Sequence, residues 1–495
     1  MGYNYESVCA NYLKETAQVD RVVELKLPLQ DGSSVAKVLS VVADGRAVSV
    51  TANEGEVDFS GRVAFKLTFI SNDDQLGSLD YFADFEEKIL ADVRQGNMVS
   101  GKAEVVETDI ASNGDLKLAA VVKITVYSSV KSETECLVEA PEECYSEKTD
   151  VEVKTFADCV SKEFVVTGDD TVGGDVKKIL STDCVAAVSE LKTGDGVAYI
   201  SGVVSARVTY AMGDTIKCSV FEMPYSEDVE INVDDFGSLS CDAEVKNVRI
   251  IISGTEGDNI IELEALVTLK VCSYLTKRTS VVKDVFMLDR EVSVERNKFE
   301  YSQFDRTFIF DDKLTDTAKL SESRSAVREI LSPVNACNNV ARVWAESGKV
   351  FVEGLISSTV IYSDENGFNS VKVEVPYSTS FNADVTGKET LKASGVVTEI
   401  VPKIKRDREI ELSAKLNFKV ESSTLNSLNV ITNVTEGEIK PVNDSTVSVY
   451  VVSEGDTVWD VAKAFSASPD KIMAQNNLVQ PLTEGQRIVY FRALD

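Results

Sequence analysis

Histidine-dependent chemistry is closed to this chain, because none of its 495 residues is a histidine. Ser–His and Cys–His nucleophile pairs and His-ligated zinc are excluded together, since each needs an imidazole as proton acceptor or ligand. The groups left with chemical capacity are carboxylates, thiols and hydroxyls. Carboxylates stand in pairs at Asp73-Asp74, Asp169-Asp170, Asp234-Asp235 and Asp311-Asp312. Two carboxylates on either side of a glycosidic bond could divide acid and nucleophile roles between them. These pairs, however, are far apart in sequence and read as turn residues, where Asp bonds its own backbone. The stretch GDDTVGGD lacks the ligand spacing of an EF-hand. No G-x-x-x-x-G-K-[ST] loop cradles a phosphate, and no G-x-S-x-G elbow presents a serine. The sequence therefore predicts no catalytic residue, metal site or cofactor.

The nine cysteines, Cys9, Cys136, Cys144, Cys159, Cys184, Cys218, Cys241, Cys272 and Cys337, are odd in number and form no C-x-x-C pair. That pattern predicts reduced, buried thiols in a reducing compartment. No apolar run approaches the ~18 residues of a membrane span, and the first residues do not read as an export signal. With 51 Lys and Arg against 81 Asp and Glu, the formal charge is −30. Such a chain repels nucleic acid and anionic membranes and suits docking to a basic partner. Against this background one basic run stands out, PKIKRDR, with Lys403, Lys405, Arg406 and Arg408. It reads as a solvated hairpin tip, with a docking patch for an acidic neighbour as the alternative.

The elements that must carry these residues repeat. FSGRVAFKLTF, ISGVVSARVTY and VEGLISSTVIY align on Gly61, Gly202 and Gly354, each with an aromatic eight residues on, Phe69, Tyr210 and Tyr362. The alternating positions Val63, Phe65, Leu67, then Val204, Ala206, Val208, then Ile356, Ser358, Val360 describe a strand with one buried face. A Leu-Ser pair precedes each glycine: Leu39-Ser40, Leu180-Ser181, Leu331-Ser332. Pro224-Tyr225 and Pro376-Tyr377 follow at one offset, with Phe85 in the first copy, and LKLAAVVKITV, IELEALVTLKV and IELSAKLNFKV come later. The predicted fold is mainly β: three repeated antiparallel sandwich- or open-barrel-like domains. Units of this size would each bury their own core and follow one another as a chain of domains. The expected boundaries give an N-terminal segment 1–19, β domains 20–155, 156–298 and 299–440, and a last domain 441–495 set off at Pro441 and Asn443. DKLTDTAKLSESRSAVREILS could hold a short helix.

The last domain reads as strand, helix, helix, strand. VSVYVV is a strand; Thr457 caps a helix with Val458, Val461, Ala462 and Phe465 on one face; Ser468 and Pro469 open a second; RIVYF closes. The run Y-V-V-x-x-G-D-T-x-W-x-V-A, the N-N-L and the closing E-G-Q-R-I resemble the LysM domain, with Glu484 standing where that family usually has proline. The resemblance implies a groove between two loops, Gly455, Asp456 and Thr457 on one side and Asn477, Leu478, Val479 and Pro481 on the other. In LysM domains that bind glycans, that groove takes N-acetylglucosamine polymers. Val458, Trp459, Ala462 and Phe465 read first as core, as so small a domain needs its apolar groups inside.

The G-x-x-x-x-x-V-x-Y … P-Y-S pattern resembles the SPOCS domain of endospore-formers, and repeats of it followed by one LysM resemble the SipL-like family of spore-coat morphogenetic proteins. That resemblance implies a non-enzymatic adaptor in the mother-cell cytoplasm, at the surface of the developing forespore. Its LysM groove would dock onto the coat-scaffold ATPase, and its β domains, through their edge strands, would engage other coat proteins. The alternative is a peptidoglycan- or N-acetylglucosamine-binding protein of wall or cortex.

Overall fold

The computed structural model describes residues 2–27, 35–112, 116–234, 237–255, 257–322, 324–441 and 446–492. Strands dominate, and they fall into three units of one topology. The first is β1 (Asn4–Lys26), β2 (Val35–Ala52), β3 (Glu56–Ser71), β4 (Leu76–Leu90), β5 (Val99–Ser112) and β6 (Leu116–Glu139). The second is β7 (Cys144–Gly173), β8 (Val176–Gly194), β9 (Val197–Met212), β10 (Thr215–Glu230), β11 (Ser238–Thr255) and β12 (Asp258–Met287). The third is β13 (Arg290–Lys319), β14 (Glu329–Glu346), β15 (Lys349–Asp364), β16 (Gly367–Asn382), β17 (Thr390–Arg406) and β18 (Glu409–Ile439). Each unit makes two antiparallel sheets, β1-β6-β5 facing β2-β3-β4 in the first, and the same arrangement in the others. The sheets approach along both borders, β5 beside β2 and β1 beside β4, so the sandwich is an open barrel. Edge strands that the sequence offered for pairing with partners are thus largely turned toward one another.

The repeated sequence marks have direct physical causes. The alternating residues of β3, β9 and β15 are all buried, as are Leu118, Leu263 and Leu412 and the alanines Ala120, Ala265 and Ala414. Gly61, Gly202 and Gly354 lie directly opposite Phe85, Tyr225 and Tyr377 in the ladders. The aromatic ring lies over the glycine: a Cβ at Gly61 would stand 2.3 Å from the Phe85 ring, and one at Gly202 would stand 2.1 Å from the Ala187 carbonyl. Glycine and aromatic, read from sequence as separate landmarks, are two halves of one contact.

The units are not beads. Leu39, Leu180 and Leu331, the leucines of the three Leu-Ser pairs, meet in one buried cluster with Ala211, Ile216, Val334 and Ile361. Burying each leucine contributes roughly 1.5–3 kcal/mol, and the cluster that buries them draws on all three units. Thr68 of the first unit donates to the Leu180 carbonyl of the second at 2.9 Å, and Thr209 of the second meets Ser332 of the third at 2.6 Å. Lys37 of the first unit donates to the Phe368 carbonyl of the third at 2.7 Å, which closes a ring of three. A second shared cluster joins Val8, Ala10 and Cys136 with Val151, Val153 and Val281 and with Phe299, Tyr301 and Val430. It is built by the outer halves of the longest strands, β1/β6, β7/β12 and β13/β18, which leave the barrels as two-stranded ribbons and pack together. A single extra residue bends each ribbon's first strand, at Thr16, Ala157 and Asp305.

Charge also crosses the ring. Asp242 of β11 pairs with Lys419 of β18 and, at 3.2 Å, with Lys102 of β5; Lys419 also reaches Glu421 at 3.0 Å. Burial alone would raise the Asp242 pKa, but the two ammonium groups outweigh it and hold the carboxyl well below the usual range.

Several expectations change. Residues 4–19 pair with β6 as the first part of β1, and the changeovers expected near Thr155 and Lys298 fall inside β7 and β13. Among the described residues of 312–332 there is no helix: β13 runs to Lys319, and the amides of Leu320 and Val327 are satisfied by carbonyls at Arg408 and Asp407. Asp169-Asp170 and Asp311-Asp312 are strand residues rather than turns. Asn443 and Asp235 lie outside the described residues. Cys159 and Cys272 stand directly opposite in the β7–β12 ladder and are joined as a disulfide, with the other seven cysteines free. The reading of nine reduced thiols fails here because strand register, invisible in spacing, brings together residues 113 positions apart.

Candidate functional site

The terminal module is β19 (Val447–Val451), α1 (Val458–Phe465), α2 (Pro469–Asn476) and β20 (Arg487–Phe491). Thr457 caps α1 in a capping box: its hydroxyl takes the Asp460 amide, and its own amide donates to the Asp460 carboxylate at 2.8 Å. Pro469 opens α2 and Asn477 ends it in the left-handed conformation. Val458, Val461, Ala462, Ile472, Ile488 and Tyr490 form the core.

Because β19 and β20 are antiparallel with Val451 opposite Arg487, the loop leaving β19 and the loop entering β20 lie at one end of the sheet. Backbone bonds from Val452 to Gln486 and from Gly485 to Val452 tie them there, at 2.9 and 2.8 Å. The seven predicted groove residues lie along these two connections, Gly455, Asp456 and Thr457 after β19 and Asn477, Leu478, Val479 and Pro481 before β20. Gly455 takes a positive φ of 86° in the turn. Asp456 is a structural turn residue: it accepts from the Ser453 amide at 2.7 Å and the Tyr450 hydroxyl at 2.9 Å. Leu478 packs against the core, whereas Gly455, Thr457, Asn477, Val479 and Pro481 are exposed, Val479 by 79%.

One contact of this module was not foreseen. Trp459, expected in the module's core, does pack against it, partly buried, and also reaches the second unit. Its ring meets Phe286 of β12 edge-on at 4.8 Å, and its Nε1–H donates to Asp284 at 3.0 Å. Lys463, one turn along α1, donates to the same carboxylate at 2.7 Å, and Arg296 of β13 reaches it at 3.0 Å. Burial would raise Asp284, but hydrogen bonds from Lys463 and Trp459 outweigh it and hold its pKa below the ordinary carboxylate value. Lys440 adds bonds to the Met287 carbonyl and the Ser466 hydroxyl. The module is thus seated on the ribbon ends of units two and three, with its loop residues outward. Nothing in the sequence signalled this seat, since Asp284 and Trp459 are 175 residues apart.

The basic run is not part of this end. Lys403, Lys405, Arg406 and Arg408 are exposed at the β17–β18 hairpin, whose turn is Asp407-Arg408. Lys405 donates to Thr317 at 2.9 Å and faces Glu411 at 3.7 Å; Arg406 lies 3.8 Å from Glu409. Among the described residues no group of carboxylates and thiols has the arrangement of a metal site, and no helix is long and apolar enough to cross a membrane.

The terminal part of the chain is a βααβ module with two loops at one sheet end, mounted on a β body, and its residues 450–489 match the LysM domain, a peptidoglycan-binding-type family. Residues 175–253, spanning β8 to most of β11, match the family described as SipL, SPOCS domain. The chain is SipL-like in combining a SPOCS domain with a LysM domain. Both families are binding or adaptor domains and not known enzymes. No curated protein and no solved structure matches the chain.

Proposed function

We propose that this protein is a non-enzymatic adaptor of endospore coat assembly. In this reading its LysM domain docks onto the coat-scaffold ATPase at the forespore surface, on the mother-cell side, while the β units engage further coat proteins. The observation that carries it is the seat of the LysM domain. A module fixed to a SPOCS body through Trp459, Lys463 and Asp284, with its loops left outward, is built to hold that body in a set orientation on whatever the loops grip.

A glycan reading is favoured by a different observation: Val479 and Pro481 offer exposed apolar surface beside loop backbone, which suits a sugar ring. The full chain, titrated separately with the ATPase and with an N-acetylglucosamine oligomer, distinguishes the two. Saturable binding to the ATPase that Val479→Asp weakens supports the adaptor. Binding to the oligomer alone replaces it with a wall or cortex glycan receptor. In cells, removing residues 447–495 should abolish placement at the forespore; unchanged placement sinks the LysM-docking reading.

A further inference from the structure

The three units share a topology but not the charge of their equivalent hairpins. The connection between the fifth and sixth strands reads S-N-G-D at 112–115 in the first unit and T-E-G-D at 255–258 in the second. In the third the turn is only Asp407-Arg408, but the end of β17 and that turn together read K-I-K-R-D-R at 403–408, four cations and one carboxylate, whereas the ends of β5 and β11, D-I-A-S at 109–112 and I-S-G-T at 252–255, carry no cation. Since the other two units carry no cation there, the topology does not require cations at the third.

We propose that the β17–β18 hairpin is a second docking site, for an acidic polypeptide segment of a partner protein. The cations are outermost. Glu409, whose side chain is only 18% exposed, lies beneath Arg406 and Lys319, which are 77% and 78% exposed. Lys403 and Arg408 complete the exposed tip, and Ile404, 40% exposed between them, adds an apolar contact. Guanidinium forks on Arg406 and Arg408 suit paired carboxylate oxygens. The body's charge of −30 does not cancel the patch, because charges more than about 8 Å away are screened at physiological ionic strength. A protein segment fits better than a flat anionic membrane. In the two-residue turn Asp407 offsets Arg408, so a flat surface approaching tip-on meets no net charge there, whereas an extended segment can lie along the flank beside Lys403, Lys405 and Arg406. The backbone is rigid enough to serve, since carbonyls of Asp407 and Arg408 are held by the amides of Val327 and Leu320 at 2.8 and 2.9 Å.

The position gives the site its purpose. β18 starts at this hairpin and ends where the chain enters the LysM domain, 31 residues later. At about 3.3 Å per residue the two sites stand up to roughly 100 Å apart along one strand, less what its bends remove. The protein would then bridge two bodies at a fixed separation. The inference does not depend on what the LysM domain binds.

The test uses the full chain and a fluorescent oligoglutamate peptide, read by anisotropy. Saturable binding at low salt is expected, weakening steeply as salt rises, and K403E/K405E/R406E/R408E should weaken it by about tenfold or more. The charge-neutral set K403Q/K405Q/R406Q/R408Q should lie between, and Val479→Asp in the LysM loop should leave it unchanged. Circular dichroism of each variant confirms the fold; if the reversal set fails to fold, the neutral set decides. No saturable binding, or equal binding by the neutral set, overturns the site. Capture by phosphatidylglycerol vesicles without peptide binding also overturns it, in favour of a lipid surface.

Discussion

Replacing Asp242 by asparagine tests whether the three β units form one body. The carboxylate holds Lys419 of unit three and, at 3.2 Å, Lys102 of unit one. Asparagine keeps the shape and one acceptor oxygen but removes the charge, leaving two cations facing each other with Glu421 alone to balance Lys419. Breaking a fully buried pair costs about 3–5 kcal/mol, and an exposed one about 0–1. Here the side chains of Lys419, Asp242 and Lys102 are 15, 34 and 42% exposed, so solvent screens part of the interaction and about 2 kcal/mol is expected. Urea unfolding measures the loss. Hydrogen exchange locates it, with protection falling along β5 and β18 as well as β11. Asp84→Asn, which breaks the solvent-exposed pair with Arg62, should move neither. The pH dependence has a definite sign. The folded carboxyl is held below its unfolded value of about 3.9, so its contribution is present above pH ~4 and is lost as pH falls toward the depressed value. Unfolding indistinguishable from wild type, or protection lost in unit two alone, would refute the junction.

Other expectations follow from single contacts. Gly202→Ala, whose Cβ would stand 2.1 Å from the Ala187 carbonyl and 2.4 Å from the Tyr225 hydroxyl, should destabilise by about 2 kcal/mol from overpacking; an unchanged melting temperature would show that both the β8 backbone and the ring give way at no cost. Trp459→Ala removes the Phe286 contact and a bond to a charged acceptor, and should free the LysM domain from the body. Small-angle scattering would register a larger maximum dimension, and an unchanged profile would mean that Lys463 and Lys440 suffice. Thiol titration of the denatured, unreduced protein should find seven cysteines and nine after reduction; nine beforehand would show that the Cys159–Cys272 pair is not oxidised. In the native state the count should fall further, since burial pushes Cys184 and Cys241 up to about 12 and Cys337 up to about 11, well away from the reactive thiolate.

How much could be read in the sequence depends on which physical question a residue answers. Alternation states which face of a strand is buried, and it placed Val63, Val204 and Ile356 correctly because a barrel core enforces a period of two wherever it lies. It does not state what buries the face. Leu39, Leu180 and Leu331 carry the same apolar signal as the core positions, yet the cluster that buries them draws on all three units. A sequence that determines three barrels therefore leaves their packing around a common centre unannounced. The same limit explains Trp459: its spacing fits an apolar helix face, and only the position of β12 decides that this face meets another domain. Capping behaves oppositely. Thr457 and Pro469 act within one helical turn, so their roles were legible without knowing the rest of the fold. Ion pairs are the extreme case. Asp242 looks like any strand carboxylate among 81 acids, and its importance exists only because ring closure brings Lys102 and Lys419 to it from the first and last units. The basic hairpin is legible for the converse reason: its cations lie within six residues of sequence at one hairpin end, and the structure had only to leave them exposed.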